Sequence, residues 1–339
     1  MDVADFDYDL PAGAIAQVPV EPRDAARLLV DRGPNESPAD KTVADLAELV
    51  GPGDLLVVND SRVLPARLRL QKSSGGSVEV LLVERRLEGG WEALVRPSRR
   101  VPPGSVLSGA GLRVTVGEDL GEGRRIVHLD AGRAGEAAAI AVNGTVPLPP
   151  YIREELADPE RYQTVFARRP VSAAAPTAGL HLTPEVLDRC RAAGARVEPI
   201  ELAVGVATFR PITASKVEHH EMHGERYLVP SQTMLACREA QRVIAVGTTV
   251  VRALESAAAT GQLEGRTELF IRSGHHFAVV DLLLTNFHVP RSSLLVLVDA
   301  FVGSRWRELY AIALDRGYRF LSFGDAMLLR HEGAGRGAR

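Results

Sequence analysis

With 339 residues, 45% of them hydrophobic and 24% charged, and a formal charge of −3, the chain has the composition of a folded protein long enough for two domains, which excludes a largely disordered one. The near-neutral balance argues against an indiscriminate polyanion binder but leaves a local basic face open. No apolar run reaches about 18 residues and Asp2, Asp5, Asp7 and Asp9 crowd the start, so neither a signal peptide nor a membrane span is expected, and the cytoplasm is the expected location.

In chain order, the first apolar strand is 54–58, which runs into Asn59-Asp60-Ser61-Arg62. From about residue 67 to 142 the pattern changes to short alternating runs cut by Gly75-Gly76, Gly89-Gly90, Pro102-Pro103-Gly104 and Gly121-Glu122-Gly123. These are hairpin signals, and 78–83, 91–95 and 112–116 read as strands of a small antiparallel barrel or sandwich. Strands and helices alternate on either side. Thr183 before Pro184 reads as a helix cap, Gly194 ends that helix, and a strand follows over 197–204. Ser231 is placed to cap the next helix. Strand 243–246 leads to a helix over 250–259, followed by strands 269–272 and 277–284 and helices 293–301 and 305–316. The expected fold class is α/β: a discontinuous α/β core domain over 1–62 and 146–331, with a small antiparallel β-barrel domain inserted at 63–145. The tail from 332 to 339, rich in Gly and Arg, is expected to be disordered.

Three of these strands end alike. Val279 to Leu284 stops in Thr285-Asn286-Phe287-His288, 54–58 stops in Asn59-Asp60-Ser61-Arg62, and 243–246 stops in Gly247-Thr248-Thr249. A near-continuous apolar run reads as a strand covered on both faces, and in sheets of that kind ligands gather beyond the strands' carboxyl ends. One polar strand end is an ordinary turn or cap; three favour a shared pocket. The loop Ala174-Ala175-Pro176-Thr177-Ala178-Gly179-Leu180-His181 is small-residue-rich, so it reads either as a connector or as a place where a ligand approaches the backbone, with His181 available for proton transfer. Gly247-Thr248-Thr249, before a helix carrying Arg252 and Glu255, is a candidate anion seat.

Other constellations are weaker. His219-His220-Glu221-Met222-His223 lacks the zincin spacing, so no metal site is expected there. The chain has only Cys190 and Cys237, both expected to be buried and inert. Neither a strand followed by G-x-G-x-x-G nor a G-x-S-x-G elbow is present. Arg85, Arg86, Arg96, Arg99 and Arg100 cluster around Trp91, forming either a solvated face or a surface that follows RNA through charge and stacking.

Taken together, the segments closely resemble the S-adenosylmethionine:tRNA ribosyltransferase-isomerase family of queuosine biosynthesis. The resemblance runs from Phe6-Asp7-Tyr8-Asp9-Leu10-Pro11 and Glu21-Pro22-Arg23-Asp24 through Gly53 to Arg67, Pro147-Leu148-Pro149-Pro150-Tyr151-Ile152 and Glu160 to Val165. It continues through the His181 loop, Thr208-Phe209-Arg210-Pro211, the histidine-rich stretch, Val246 to Arg252 and the Thr285 to His288 strand end. It implies transfer and isomerisation of the ribosyl part of S-adenosylmethionine onto 7-aminomethyl-7-deazaguanine at the wobble position of tRNA with a GUN anticodon. Epoxyqueuosine forms, and adenine and methionine leave. It implies no metal or redox cofactor, S-adenosylmethionine being a co-substrate, and no obligatory protein partner.

On that reading, proton transfer falls to His181, His219, His223 or His288, and ligand orientation to Asn59, Asp60, Asn286 and Glu225. The methionine carboxylate falls to Thr248, Thr249 and Arg252. Arg62, Thr177 and Thr285 join the substrate site, and Arg96, Arg99 and Arg100 the RNA face. The chain departs from the family pattern at Leu182, where Phe is usual, and at Ala207 and Leu282, where Gly is. Added bulk beside a ligand would suit a diverged paralogue using S-adenosylmethionine on another acceptor; a non-catalytic RNA-binding module is the third reading.

Overall fold

A computed structural model describes residues 1–86, 88–109, 111–205 and 211–331. Residues 206–210, which include Ala207 and most of the Thr208 motif, and the tail from 332 lie outside the described residues. The chain divides into two compact units: Met1–Ser61, Pro149–Arg169 and the chain from Pro176 make one, Arg62–Leu148 with Pro170–Ala175 the other. Residues 170–175, assigned by sequence to the core, thus belong to the second unit, where the Leu64 amide donates to the Ser172 carbonyl.

The first unit is built on a nine-stranded mixed sheet. Its order is Glu264–Thr267, Glu225–Leu228, Arg196–Leu202, Asp54–Asn59, Arg242–Val246, Leu282–Asn286, Ala326–Arg330, Arg27–Val30 and Ala39–Thr42. Four consecutive strands, from Arg196–Leu202 to Leu282–Asn286, are parallel, so their carboxyl ends share one edge. Every residue of Asp54–Asn59 and of Leu282–Asn286 is buried. Because successive side chains point to opposite faces, both faces are covered, as the unbroken apolar runs require. Leu56, Val58, Ile244, Val246 and Leu284 share a core with Leu182, Val186 and Leu187 from the loop and helix beyond His181.

Local signals place most boundaries. Thr183 Oγ1 accepts from the Val186 amide at 3.2 Å and Pro184 opens the helix Pro184–Ala192. Gly194 follows with φ +97°, and a Cβ there would lie 2.9 Å from Pro52 Cγ, so only glycine fits. Ser231 is not a cap: it is the first residue of Ser231–Glu239, after Pro230. Cys190 and Cys237 are buried and form no disulfide, and burial pushes the Cys190 thiol up to about 11.

Two strand expectations fail for one kind of reason. The expected strand over 277–284 begins only at Leu282. The amides of Ala278, Val279 and Val280 donate instead to the Glu255 carboxylate, at 2.8, 3.0 and 3.1 Å, and so are withdrawn from a ladder. The expected strand at 269–272 is absent, and the pairing segment is Glu264–Thr267. The carbonyls of Thr267 and Leu269 accept from the Arg252 guanidinium.

In the second unit, Arg67–Lys72, Ser77–Arg85, Trp91–Arg96, Arg124–Asp130, Leu112–Gly121 and Val106–Gly109 pair in that order, all antiparallel. Val106–Gly109 pairs back onto Arg67–Lys72. The ring is closed, which makes it a barrel rather than a sandwich and leaves no open edge in the ring. Leu68, Leu70, Val80, Val95, Val114 and Val127 are buried at alternate positions along its strands. No helix among the described residues is long and apolar enough to cross a membrane.

Candidate active site

The three polar strand ends meet at the carboxyl edge of the parallel strands. Asn59 ends the Asp54 strand. Its Nδ2 donates to the Leu202 carbonyl at 3.0 Å and to Thr249 Oγ1 at 3.4 Å, while its Oδ1 accepts from the amides of Leu202 and Ser61. Asn59 thus joins two strand ends to the start of the helix after a third. Gly247, with φ +97°, caps the helix Thr248–Thr260, and its amide donates to the Leu284 carbonyl at 2.8 Å. A Cβ at Gly247 would sit 3.6 Å from the Ala178 Cβ, so the His181 turn lies directly over this helix start. Thr248 and Thr249 are buried there, at the kind of helix start that receives anions, while the Val250 and Val251 amides donate to the Gly247 carbonyl.

His181 ends the short 3-10 turn Thr177–His181. Gly179 within it is required by close packing, since a Cβ would lie 2.8 Å from Phe166 Cζ and 2.9 Å from Thr164 Cγ2. The His181 Nε2 lies 3.0 Å from Asn286 Nδ2, which also donates to the Leu321 carbonyl at 3.1 Å. Leu321 is held at φ +70°, an uncommon conformation for a side chain branched at Cγ. Burial, then the nearby charges of Arg319, Arg23 and Arg161, push the His181 pKa down to about 4. Arg23 laces this region together, donating to the carbonyls of Gln163, Leu180 and Glu160.

Thr285 and His288 occupy the other face. Thr285 Oγ1 lies 3.1 Å from His288 Nε2, the Tyr310 hydroxyl accepts from the His288 amide, and Tyr8 donates to its carbonyl. Around this point Tyr8 packs edge to face on Trp306 and Tyr310, Phe287 and Trp306 pack edge to face on Tyr310, and Phe287 and Phe320 stack face to face. Burial pushes the His288 pKa down to about 3, so it is a neutral imidazole whose backbone the two tyrosines hold.

Glu225 and Arg252 are brought together, but as each other's partners. The buried guanidinium pairs with the Glu225 carboxylate and donates to the Leu269 and Thr267 carbonyls at 3.1 and 3.3 Å, while Glu225 Oε1 accepts from the Gly205 amide at 2.8 Å. The Arg252 charge that the sequence suggested for a substrate carboxylate is thus paired with Glu225 inside the fold. Asp60 is half-buried, 3.7 Å from Arg168, and burial outweighs that cation, raising its pKa. Thr177 is half-buried at the start of the His181 turn, and Arg62 is half-buried in the second unit.

His219 and His223 are exposed and are not drawn into the His181 pair. His220 stacks edge to face on Phe270 and burial lowers its pKa. Among the described residues no group of three or more His, Cys, Asp or Glu is placed to hold a metal ion. In the barrel, Trp91 is buried and its Nε1 donates to Glu136. It cannot stack on a base, which corrects that reading. Arg85 pairs with Glu136 and Arg86 with Glu92, whereas Arg96, Arg99 and Arg100 are exposed and pair with no acidic side chain among the described residues. Leu182 and Leu282 both point into the hydrophobic core, and Leu282 begins its strand, about 13 Å from Asn286 at the other end. Neither substitution reaches the polar edge.

Sequence reading missed Arg23, Arg319 and Leu321. Arg23 stood inside a quoted motif, but nothing local marks Leu321.

The architecture is that of an α/β enzyme whose polar groups gather where parallel strands end, with an antiparallel barrel as its second unit. A family model described as queuosine biosynthesis protein matches residues 3–329. The S-adenosylmethionine:tRNA ribosyltransferase-isomerase of Rubrobacter xylanophilus is 50% identical over 100% of both chains. That of Thermus thermophilus is 49% identical, covering 96% of this chain and 98% of its own. The crystal structure of S-adenosylmethionine tRNA ribosyltransferase from Thermotoga maritima is 37% identical, with a TM-score of 0.55 over 95% of this chain and 99% of that one. The chain belongs to the queuosine biosynthesis protein family.

Proposed function

We propose that this chain moves the ribosyl part of S-adenosylmethionine to the aminomethyl group of 7-aminomethyl-7-deazaguanine at the wobble position of tRNA. The ribosyl part is isomerised in the process, epoxyqueuosine-tRNA forms, and adenine and methionine leave. The observation that carries this is the end-to-end match to relatives bearing that activity's name, at about half identity. The burial of Leu182 and Leu282 in the core supports the same acceptor rather than a diverged one.

The chemistry fits the polar edge. A proton beside the sulfonium is removed, adenine leaves with a proton supplied, and the wobble base is held out of its stack. The buried start of the helix Thr248–Thr260 suits the methionine carboxylate, through Thr248 and Thr249. Asp60, with its pKa raised by burial, is suited to accept a proton. Arg96, Arg99 and Arg100 meet tRNA phosphates. The sulfonium activates its own leaving groups, so the reaction calls for no resident metal or redox cofactor. The partner is a tRNA with a GUN anticodon, and the location the cytoplasm.

Mixing the protein with S-adenosylmethionine and tRNA carrying the deazaguanine precursor should release adenine and methionine and yield the modified nucleoside. Absence of adenine with a verified substrate would sink the reading, and S-adenosylhomocysteine would indicate methyl transfer instead.

A further inference from the structure

The amide of Asn286 has only one tenable orientation. The Leu321 carbonyl lies 3.1 Å away and already accepts from the Gly324 amide at 2.9 Å. Turning the Asn286 amide over would set Oδ1 about 3.1 Å from that carbonyl oxygen, two buried acceptors facing each other with no proton between them. The loop cannot swing the carbonyl away. Asp325 accepts from the amides of Arg27 and Arg319, at 2.9 and 2.7 Å, and the Asp325 amide donates to the Arg319 carbonyl. A Cβ at Gly324 would meet the Arg319 carbonyl oxygen at 2.4 Å. Nδ2 therefore faces both Leu321 and His181.

An amide nitrogen has hydrogens and no lone pair to offer. At 3.0 Å it can only donate to His181 Nε2, so Nε2 is unprotonated and a neutral ring must carry its hydrogen on Nδ1. Nδ1 has no hydrogen-bond partner among the described residues, and Asn286 Oδ1 is buried without a donor among them. A fixed donor and an orphaned acceptor beside it are what a ligand would complete.

We propose that Asn286 is a positioning residue that locks His181 as its Nδ1–H tautomer, so that the ring meets the substrate as a neutral hydrogen-bond donor through Nδ1. The matching ligand atom is an acceptor, such as a ring nitrogen or carbonyl oxygen of a nucleobase. Asn286 Oδ1 is left to accept from an adjacent amino group. This deepens the proposed function, since nucleobases supply both groups on one edge, and it withdraws His181 Nε2 from the role of base.

The test reads the tautomer directly. Long-range proton–nitrogen correlation spectra of protein labelled with 15N at histidine, with His181 assigned from a His181→Gln variant, should show Nδ1 protonated and Nε2 bare from pH 5.5 to 8. In Asn286→Asp the new carboxylate accepts where the amide donated. The proton should move to Nε2, and the ring should become cationic at higher pH than in the wild type. Turnover should fall at least about tenfold, with a smaller change in KM. A wild-type spectrum with the proton on Nε2, or a His181 that titrates alike in both proteins, overturns the proposal. The wild-type spectrum decides even if the variant fails to fold. Because the readout is spectroscopic, failure of the adenine assay would count against the proposed reaction and leave the tautomer to be judged separately.

Discussion

The buried pair Glu225–Arg252 offers a sharp perturbation, because the two residues were chosen from sequence as ligand contacts and are found engaged with each other. Glu225→Gln leaves an uncompensated guanidinium in the core, which should cost about 3–5 kcal/mol. Arg252→Met leaves a buried carboxylate, held by the Gly205 amide, without its cation, and strips donors from the Thr267 and Leu269 carbonyls, for a similar loss. The double variant removes both charges; what remains is two under-satisfied carbonyls, about 1–3 kcal/mol. The double loss should therefore fall short of the summed single losses by at least about 2 kcal/mol. The assay is urea unfolding followed by fluorescence in a Trp91→Phe background. The chain has two tryptophans, and Trp306, fully buried in the first unit, then reports on that unit alone. Losses that add to within about 0.5 kcal/mol would refute the coupling. So would an Arg252→Met protein of unchanged stability whose only defect is a raised KM for S-adenosylmethionine, since the guanidinium would then be a ligand contact.

Three further outcomes follow from the same geometry. Glu255→Ala removes the acceptor of the buried Val279 and Val280 amides and should cost about 2–5 kcal/mol; hydrogen exchange over 278–280 should rise, and unchanged protection would count against the carboxylate as the clamp. Burial raises the Glu255 pKa, but the His275 ring 3.8 Å away and the hydrogen bonds from the three amides outweigh it and leave it lowered, so its stabilisation holds at neutral pH and is lost only in acid, below about 4.3. His288 runs the other way: its folded pKa, about 3, lies under the ordinary 6.5, so protons favour the unfolded chain and stability falls as pH drops below 6.5, by about 3 kcal/mol at pH 4 from this group. His288→Phe should flatten that decline, and an unaltered profile would show that the ring titrates normally. Replacing Arg96, Arg99 and Arg100 by Ala should reduce the salt slope of tRNA binding by up to about 3; an unchanged slope would place the RNA elsewhere.

What was legible in the sequence is what local pattern encodes. The runs ending at Asn59, Gly247 and Asn286 showed themselves because an apolar strand covered on both faces has to stop abruptly where the core stops. The Thr183 cap and the Gly194 terminus are likewise written within a few residues. Val279 and Val280 misled because their apolar side chains are buried as strand residues would be, while their amides are claimed by a carboxylate more than twenty positions upstream. Strands such as Ala39–Thr42 are too short and polar to announce themselves, and gain their place only by pairing. The four candidate histidines were equal in sequence. Burial separates His181 and His288 from the exposed His219 and His223, and burial is a property of the whole sheet.

One strand end thus serves two environments, and the reason is the twofold period of the strand. Thr285 and Asn286 are consecutive, so their side chains leave on opposite faces, each meeting a buried, neutral histidine. The partners differ in kind. A threonine hydroxyl donates or accepts, so Thr285 leaves the His288 tautomer free to follow its surroundings. The Asn286 nitrogen only donates, and the Leu321 carbonyl prevents the amide from turning. Two imidazoles with the same charge state therefore carry different amounts of chemical information. His288 is held through its backbone by the Tyr8 and Tyr310 hydroxyls and serves the fold, whereas His181 presents one defined donor at the edge where the parallel strands end. The strained φ of Leu321 is intelligible on the same terms, because it keeps the one carbonyl that orients Asn286 in place.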